Sequence, residues 1–271
     1  MKIAKNIFWL FLSAQLLSCE KQSTAPAYNE DPVIEGYLYA GNTVSLRIIS
    51  QIAVSGATVG AGEGIDTLRV FIDADSSSHL LTNAGNGIYQ DSTLIILPGN
   101  EYKLHFKYKS KIVAASTIVP SLPKDFTQSA AELSLTKIEA TTTFTPGSFQ
   151  INDPIDLNWE NTDRSYYMIV VQNTDNRPEL IRDTTSARFR VANFRNEPAI
   201  IDQYQIRDLQ FQYFGNYTIT LFHLNEDYAA LYSSNSNSSQ NLTNPTSNII
   251  NGLGIFTGIS KDTLLFKVHK K

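Results

Sequence analysis

An alternation of apolar and polar residues with a period of two constrains the fold of this chain more than any other feature. Between residues 101 and 109, charged residues and one histidine alternate with Tyr102, Leu104, Phe106 and Tyr108. Because successive side chains of a strand point to opposite faces, this pattern predicts a strand buried on one face. Similar strands, separated by turns containing Gly or Asn, are predicted at 34–39, 44–49, 68–72, 88–96 and 112–119. Many short strands at this spacing indicate a β-sandwich.

Two prolines, Pro120 and Pro123, interrupt this pattern. Proline cannot donate to a strand ladder and makes the preceding residue extended, so we place a domain boundary after residue 120. A second set of strands is predicted at 155–159, 166–172, 188–192, 204–212, 217–221 and 264–268. Its start resembles a fibronectin type III domain, with Trp159 as the core tryptophan. The predicted fold is mainly β, with an immunoglobulin- or transthyretin-like sandwich over 32–120 and a fibronectin type III-like sandwich over 121–271.

One helix is predicted near 225–234, inserted in the second sandwich. Asn225 can cap it, and the acids that follow suit the positive end of the helix dipole. Tyr228, Leu231 and Tyr232 share one face at i, i+3 and i+4. The helix is predicted to end in the polar stretch 233–241, which consists of Ser, Asn and Gln and is predicted to be a loop.

The N-terminus has the layout of an export signal. Lys2 and Lys5 precede an apolar stretch at 7–17, and Ser18-Cys19 follows. This stretch is too short to span a bilayer of ~30 Å hydrocarbon as a helix. Residues 1–18 are therefore predicted to be a lipoprotein signal peptide, and Cys19 the site of lipidation. The alternative is an ordinary signal peptide cut before a free cysteine.

Residues 19–31 are predicted to be a flexible tether. They are rich in Ser, Thr, Pro and Asn and contain little that could form a core. A coil of this length reaches on the order of 20 Å. The folded part can therefore stand away from a membrane that holds the acyl chains.

The charge of the chain excludes nucleic acid as an expected partner. Lys and Arg number 22 and Asp and Glu 26, which gives a net charge of −4. Removal of 1–18 leaves 20 basic against 26 acidic residues, or −6. Phosphate binding needs clustered Lys and Arg, which this composition does not favour. Cys19 is the single cysteine, so no disulfide can form within the chain and burial must stabilise it.

The sequence contains no evident catalytic, metal-binding or cofactor-binding motif. Asp73–Ser78 begins like a calcium loop, but Ser78 stands at the invariant glycine, so a turn between strands is favoured. Gly252 and Gly254 lack the third glycine of a dinucleotide loop and indicate a tight bend or a close backbone approach. The four histidines are His79, His105, His223 and His269. None of them has a second His or Cys at the spacing of a zinc site. For His105 a solvated side chain is favoured over a ligand role.

Clustered aromatic residues are the other possible sign of a binding surface. Tyr166-Tyr167 and the group Phe211, Tyr213 and Phe214 place rings on both faces of their strands. At least one ring of each cluster should therefore face away from its own core. Packing against the other domain or the helix is favoured over a ligand platform.

Several segments are similar to an uncharacterised family of Bacteroidota outer-membrane lipoproteins, domain of unknown function 4249. Besides the run that ends at Cys19, they are 33–38, 54–59, 87–89, 98–104 and the most specific one, 247–256. Asn251 stands where many members have glycine. The resemblance implies an outer-membrane lipoprotein of two β-sandwich domains that works beside TonB-dependent uptake systems.

The leading hypothesis is a non-enzymatic, lipid-anchored component of the cell envelope that binds a ligand or an outer-membrane transporter in TonB-dependent nutrient uptake. A structural or adhesive surface lipoprotein is the alternative, and a hydrolase is the third. Cys19 is the one assigned site residue, no cofactor is expected, and the acyl chains make the membrane a partner. The face of the outer membrane is left open, since Glu20 is the single acid that closely follows Cys19.

Overall fold

The computed structural model describes residues 31–51, 62–138, 152–182, 191–236 and 246–271. Within these ranges the chain forms sixteen strands and one α-helix, α1, at Glu226–Ser236. The strands are β1 Pro32–Tyr39, β2 Thr43–Ser50, β3 Val70–Ala74, β4 Ser77–Leu80, β5 Thr82–Gly85, β6 Ile88–Ile95, β7 Glu101–Tyr108, β8 Lys111–Ile118, β9 Lys124–Gln128, β10 Glu132–Leu135, β11 Ile155–Glu160, β12 Tyr166–Asn173, β13 Asn193–Arg195, β14 Gln203–Ile206, β15 Gly215–Leu224 and β16 Leu253–Lys270. The predicted mainly β architecture is confirmed.

The strands form one large sheet and two small ones. The large sheet has nine strands in the order β13-β12-β15-β16-β1-β2-β6-β5, and β10 pairs with β16 outside this path. One small sheet has the order β4-β3-β7-β8, and the other has the order β14-β11-β9. Each small sheet covers a different half of the large one.

Two separate clusters of buried side chains lie between these layers. The first core joins β1, β2 and β6 to the four-stranded sheet, with Ile34, Ile48, Ile72, Leu104 and Phe106 almost fully buried. The second core joins β12, β15 and β16 to the three-stranded sheet, and Trp159 lies within it at 5% exposure. The predicted place of Trp159 in a core is confirmed. The molecule is thus a pair of sandwiches that share one sheet.

β16 connects the two sandwiches because it is 18 residues long. Its first part runs parallel to β1, with Val33 opposite Leu253 and Tyr39 opposite Ile259. Its second part runs antiparallel to β15, from Ile259 opposite Leu224 to Val268 opposite Gly215. The strand predicted at 264–268 is therefore the end of a much longer one.

The domain boundary predicted at residue 120 marks the passage from one core to the other. Val119 belongs to the first core and Phe126 to the second. Ile249 and Phe256, however, pack in the first core although they follow the second along the chain. Residues 31–271 form one compact unit, so the division into two domains stays a prediction.

Two predicted strands differ from the structure. The strand predicted at 204–212 ends at Ile206, and a 3-10 turn follows at Asp208–Gln210. The side chain of Gln210 accepts a hydrogen bond from the Arg207 backbone N–H at 2.8 Å, which favours the turn. Near the strand predicted at 188–192, the described strand is Asn193–Arg195, and residues 188–190 lie outside the described part.

The short strands β4, β5, β9 and β10 were not predicted. Their exposed polar residues give little apolar alternation, and pairing with longer neighbours holds them. The predicted helix is confirmed and begins directly after Asn225. It ends at Ser236, inside the stretch predicted to be a loop, and residues 237–241 lie outside the described part.

Candidate functional site

A cleft with a volume of about 360 Å³ opens where the two sandwiches meet. We call it the junction cleft. It is lined by a loop glycine before β7, by the segment that leaves β8, by the turn before β12, and by the residues that join β15 to α1. The lining residues are Gly99, 118–121, 163–166 and 223–226.

His223 is the most deeply buried titratable side chain of the cleft lining, with 4% exposure. Its Nδ1 lies 2.8 Å from the carbonyl oxygen of Ser121. Since a carbonyl can only accept, Nδ1 carries the proton and Nε2 is the acceptor of the neutral ring. The ring stacks on Tyr167 with 4.6 Å between centroids.

Burial lowers the pKa of His223 below 6.5, although the Ser121 hydrogen bond and the charge of Asp163 act in the opposite direction. The imidazole is therefore neutral at pH 7. Burial also raises the pKa of Tyr167 to about 12, with smaller contributions from Asp163 and Glu160. Neither ring carries a charge at neutral pH.

A rigid turn presents Asp163 and Arg164 to the cleft. The side-chain oxygen of Asn161 accepts a hydrogen bond from the Ser165 N–H at 2.8 Å, and its nitrogen donates to the Ser165 carbonyl at 3.0 Å. Arg164 has a φ of 58°, in the left-handed region that costs a residue with a Cβ roughly 1 kcal/mol.

Asn225 ties the start of α1 to both sides of the junction. Its side-chain nitrogen donates to the Thr117 hydroxyl and the Ile118 carbonyl, both at 2.9 Å, and more weakly to the Thr257 hydroxyl at 3.4 Å. The backbone carbonyl of Asn225 accepts from Tyr228 at 3.1 Å. The predicted capping residue therefore stands at the helix start, and its amide nitrogen links α1 to β8 and β16.

The junction cleft combines opposite charges with hydroxyl groups. Asp163 and Glu226 are acids, Arg164 is a base, and Ser121 and Ser165 add polar groups. This set offers both donors and acceptors and has no excess of positive charge. It suits a small polar ligand with hydroxyl groups better than a phosphate.

The segment at 247–256 is joined to β16 and α1 by the side chain of Asn248. The side chain of Asn248 imitates a neighbouring strand, because its oxygen accepts from the Phe256 N–H at 3.0 Å and its nitrogen donates to the Phe256 carbonyl at 2.8 Å. The same nitrogen reaches a carboxylate oxygen of Asp227 at 2.9 Å. Asn248 therefore links β16 to α1.

Two further residues of this segment need unusual backbone angles. Asn251 has a φ of 57°, which glycine and asparagine tolerate best, and this explains an asparagine where many resembling sequences have glycine. Gly254 has a φ of 98°, and a Cβ there would lie 2.1 Å from the Ile34 carbonyl oxygen. The close backbone approach predicted for these glycines is confirmed at Gly254.

The aromatic clusters pack largely as predicted. Tyr167 lies in the second core beside Trp159, while Tyr166 lies on the opposite face of the large sheet. There it joins a half-buried group that includes Tyr228 of α1. Phe211 and Phe214 are both buried in the second core. Tyr166 therefore faces away from the second core, as predicted, and packs against the same buried residues as Tyr228 of the helix.

Each of the three histidines other than His223 lies beside one carboxylate. His79 lies 3.4 Å from Asp91, His105 lies 3.2 Å from Asp73, and His269 lies 3.1 Å from Glu132.

The predicted turn in Asp73–Ser78 is confirmed, since β3 ends at Ala74 and β4 begins at Ser77. Among the residues with described positions, no group of three His, Cys, Asp or Glu side chains could hold a metal ion.

Cys19, the signal peptide at 1–18 and the tether up to residue 30 lie outside the described residues. Across the ranges that are described, no helix is both long enough and apolar enough to cross a bilayer.

The junction cleft itself was not predicted from the sequence. One signal was present, because His223 follows Tyr217, Ile219 and Leu221 at a spacing of two and so falls on the buried face of its strand. A polar residue at such a position indicates a specific partner. That the partner is a carbonyl 102 residues away could not be read from the sequence.

Comparison with known proteins gives little beyond the family. No curated protein matches the chain. A crystal structure of domains A168–A170 from titin is 12% identical, with a TM-score of 0.21, and the alignment covers 88% of this chain and 66% of that one. Chicken CNTN1 FN1–FN3 domains are 10% identical, with a TM-score of 0.20 and coverages of 89% and 67%. Structures with TM-scores this low give no information about the function of this chain. The model of the domain of unknown function DUF4249, in contrast, matches residues 24–264, and the chain belongs to this family.

Proposed function

We propose that the protein is a non-enzymatic binding component of the cell envelope, anchored to the outer membrane by acyl chains on Cys19 and accessory to TonB-dependent nutrient uptake. The observation that carries the binding role is the junction cleft, which sits between two sandwiches and is lined by both. The membrane location is supported by the signal-like N-terminus. The link to uptake is supported by family context alone.

Binding fits the cleft better than hydrolysis does. The Nδ1 of His223 is held by the Ser121 carbonyl, and the hydroxyl of Ser260 donates to the same carbonyl at 2.5 Å. A hydroxyl nucleophile would need a hydrogen bond to the acceptor Nε2 of His223, and no hydroxyl in the described part of the chain makes one. The two side chains therefore support the segment at 118–121 and hold one wall of the cleft in place.

The ligand that fits is small, polar and rich in hydroxyl groups. Carboxylates such as Asp163 and Glu226 accept hydrogen bonds from hydroxyl pairs, and Arg164 donates to ring or carbonyl oxygens. In the described part of the chain Arg164 makes no ion pair, so its guanidinium is available to a ligand. The backbone strain at Arg164 is explained if its side chain is needed at this position.

Titration with pools of monosaccharides, followed by nuclear magnetic resonance of the ligands, tests the binding role. A ligand found in this way should lose at least about tenfold in affinity in Arg164→Ala, which corresponds to one charged hydrogen bond. Arg207→Ala, an exposed arginine outside the cleft lining, is the matched control and should bind normally. Equal binding by both variants would place the ligand elsewhere.

Anchoring and partnership need separate measurements. With labelled palmitate, the wild-type protein should carry the label and stay in the membrane fraction, whereas Cys19→Ala should lose both. Extraction in mild detergent should recover an outer-membrane transporter together with the protein. Firm membrane retention of Cys19→Ala would contradict the anchor.

A second candidate, a structural or adhesive spacer, is favoured by one observation. β16 runs through both sandwiches without a break, which makes the pair a rigid unit. Rigidity suits a spacer as well as a binding module. Retained attachment of cells to matrix material, with no transporter recovered and no ligand for the cleft, would support the spacer.

A further inference from the structure

The end of the first sandwich where the chain enters the fold differs from the rest of the surface. Asp31 is the first described residue, and its carboxylate lies 3.0 Å from Nζ of Lys111. Lys111 begins β8, directly after the turn from β7. The segment that leads back to Cys19 therefore joins the fold beside the β7–β8 turn.

This turn is basic in an acidic protein. Lys107, Lys109 and Lys111 lie within five residues, while the whole chain has a net charge of −4. Lys109 has a φ of 53° at the turn, and its ammonium lies 5.4 Å from the centre of the Tyr108 ring. Clustered lysines beside an aromatic ring favour contact with an anionic surface.

Two exposed isoleucines lie beside the lysines. Ile112 is 55% exposed and Ile250 is 64% exposed. The chains that carry them are joined, because Ile250 forms a bridge with Ala114 and the Asn251 side chain donates to the Ile112 carbonyl at 2.8 Å. We call the surface formed by Lys107, Tyr108, Lys109, Lys111, Ile112 and Ile250 the basic tip.

We propose that the basic tip rests on the anionic lipid surface to which the acyl chains hold the protein. This inference rests on the proposed anchoring at Cys19. Apolar side chains flanked by lysines suit the boundary between headgroups and acyl chains, where isoleucine is buried and the ammonium groups meet phosphates. A flexible coil as long as the segment between Cys19 and Asp31 would reach on the order of 20 Å, which would bring this end of the fold, rather than the far end, to the bilayer.

Contact at the basic tip determines the direction of the junction cleft. Ile112 and Ile118 lie near opposite ends of β8, six residues or about 20 Å apart. Ile118 lines the cleft. The cleft therefore opens on the side of the first sandwich away from the lipid, where a ligand or a transporter can reach it.

Cysteine labelling tests this orientation, since the acylated Cys19 does not react and the chain has no other cysteine. Full-length acylated Ile112→Cys and Ile118→Cys would each carry an environment-sensitive fluorophore and be reconstituted into phosphatidylethanolamine–phosphatidylglycerol vesicles. The two sites have the same native residue, lie on one strand and are similarly exposed, at 55% and 60%. Spin-labelled lipid should quench the label at 112 at least about threefold more than the label at 118.

The charge of the tip gives a second measurement. In the Ile112→Cys background, Lys107→Glu should reduce the quenching, and high salt should reduce it as well. Lys103→Glu is the matched control, because Lys103 lies on the same strand, is 57% exposed and pairs with Glu101 away from the tip. It should leave the quenching unchanged.

The outcomes separate this inference from the proposed function. Equal quenching at 112 and 118 in vesicles that retain the acylated protein would overturn the basic tip and leave the anchor intact. If, without vesicles, the fluorescence of the label at residue 112 changed with protein concentration, the basic tip would instead be a contact with a second copy of the chain. If the proposed anchoring at Cys19 were wrong, Cys19→Ala would stay in vesicles as firmly as the acylated protein. That result would be seen before any labelling experiment.

Discussion

The two sandwiches share one sheet but close their cores in different ways. In the first core, neighbouring residues approach two glycines so closely that a side chain at either position is excluded. A Cβ on Gly36 would lie 2.7 Å from the ring of Phe256, and one on Gly258 would lie 2.5 Å from the Cα of Val119. This core depends on the absence of side chains at a few positions.

In the second core, stacked rings fill the space between the sheets. Phe211 lies parallel to Phe266 at 5.4 Å between centroids and edge-on to Tyr217 at 5.1 Å. Trp159 similarly contacts Phe126 and Tyr167. The comparison shows that the first core needs close approach at a few glycines among its packed side chains, whereas the second core is dominated by ring packing.

Gly254→Ala should have the largest effect on stability. The new Cβ would lie 2.1 Å from the Ile34 carbonyl oxygen at a φ of 98°, so β1 and β16 must separate. We expect a loss of about 5 kcal/mol in the free energy of unfolding, or no folded protein. Urea unfolding measures it, with Gly41→Ala as the control.

Gly41 has a φ of 82° and open space around its Cα, so its substitution introduces backbone strain without a clash and should cost roughly 1–2 kcal/mol. Similar losses in Gly41→Ala and Gly254→Ala would break the comparison, because close approach would then not determine the stability of the first core.

Phe211→Ala should cost about 4 kcal/mol through the cavity that it leaves, since the ring is 1% exposed. Trp159 is the single tryptophan after residue 18, so in the protein without residues 1–18 its fluorescence reports on the second core. We expect the fluorescence and the circular dichroism to change together in urea, because β16 couples the two cores. A fluorescence transition at lower urea than the circular dichroism transition would show that the sandwiches unfold separately.

The pH dependence of stability should come from the junction between the two cores. Because burial lowers the pKa of folded His223 below 6.5, the unfolded chain binds the proton more readily. Stability is therefore complete above about pH 6.5 and falls as the pH drops toward the lowered value, by at most about 1.4 kcal/mol per pH unit. Melting temperatures between pH 5 and 7.5 should show this fall.

His223→Gln should flatten that profile, whereas His105→Gln, at an exposed position beside Asp73, should leave it unchanged. An unchanged profile in His223→Gln would assign the acid sensitivity to other groups.

Asn251→Gly should have the smallest effect. Glycine relieves the φ of 57° but loses the hydrogen bond to the Ile112 carbonyl, and the two changes should cancel to within about 1 kcal/mol. Asn251→Ala loses both advantages and should cost about 1–2 kcal/mol. If alanine at position 251 were tolerated as well as glycine, backbone angles would contribute less to the stability of the first sandwich than we propose.

Much of the first sandwich could be predicted, because its strands alternate strictly. Tyr102, Leu104 and Phe106 are buried as their spacing predicts. The helix after Asn225 could be predicted from its cap and acidic first turn. The edge strands β4, β5, β9 and β10 could not, because neighbouring strands rather than their own residues hold them in the sheet.

The parallel pairing of β1 with β16 and the cleft beside it belong to the same unpredicted class. The pairing joins residues more than 200 positions apart, such as Val33 and Leu253, the cleft is lined by residues as distant as Gly99 and Glu226, and local patterns contain no information about such contacts.

By itself, the sequence determined the β architecture, the place of Trp159 in a core, the helix near residue 225 and the close backbone approach at Gly254. These features follow from side-chain periodicity and backbone preferences, which act between neighbours in the chain. The tertiary structure alone decided that two sandwiches share one sheet, that His223 meets the Ser121 carbonyl, and that Ile250 lies beside Ile112. These contacts arise because β16 is long enough to pair with strands of both sandwiches, and only the folded chain brings such distant segments together.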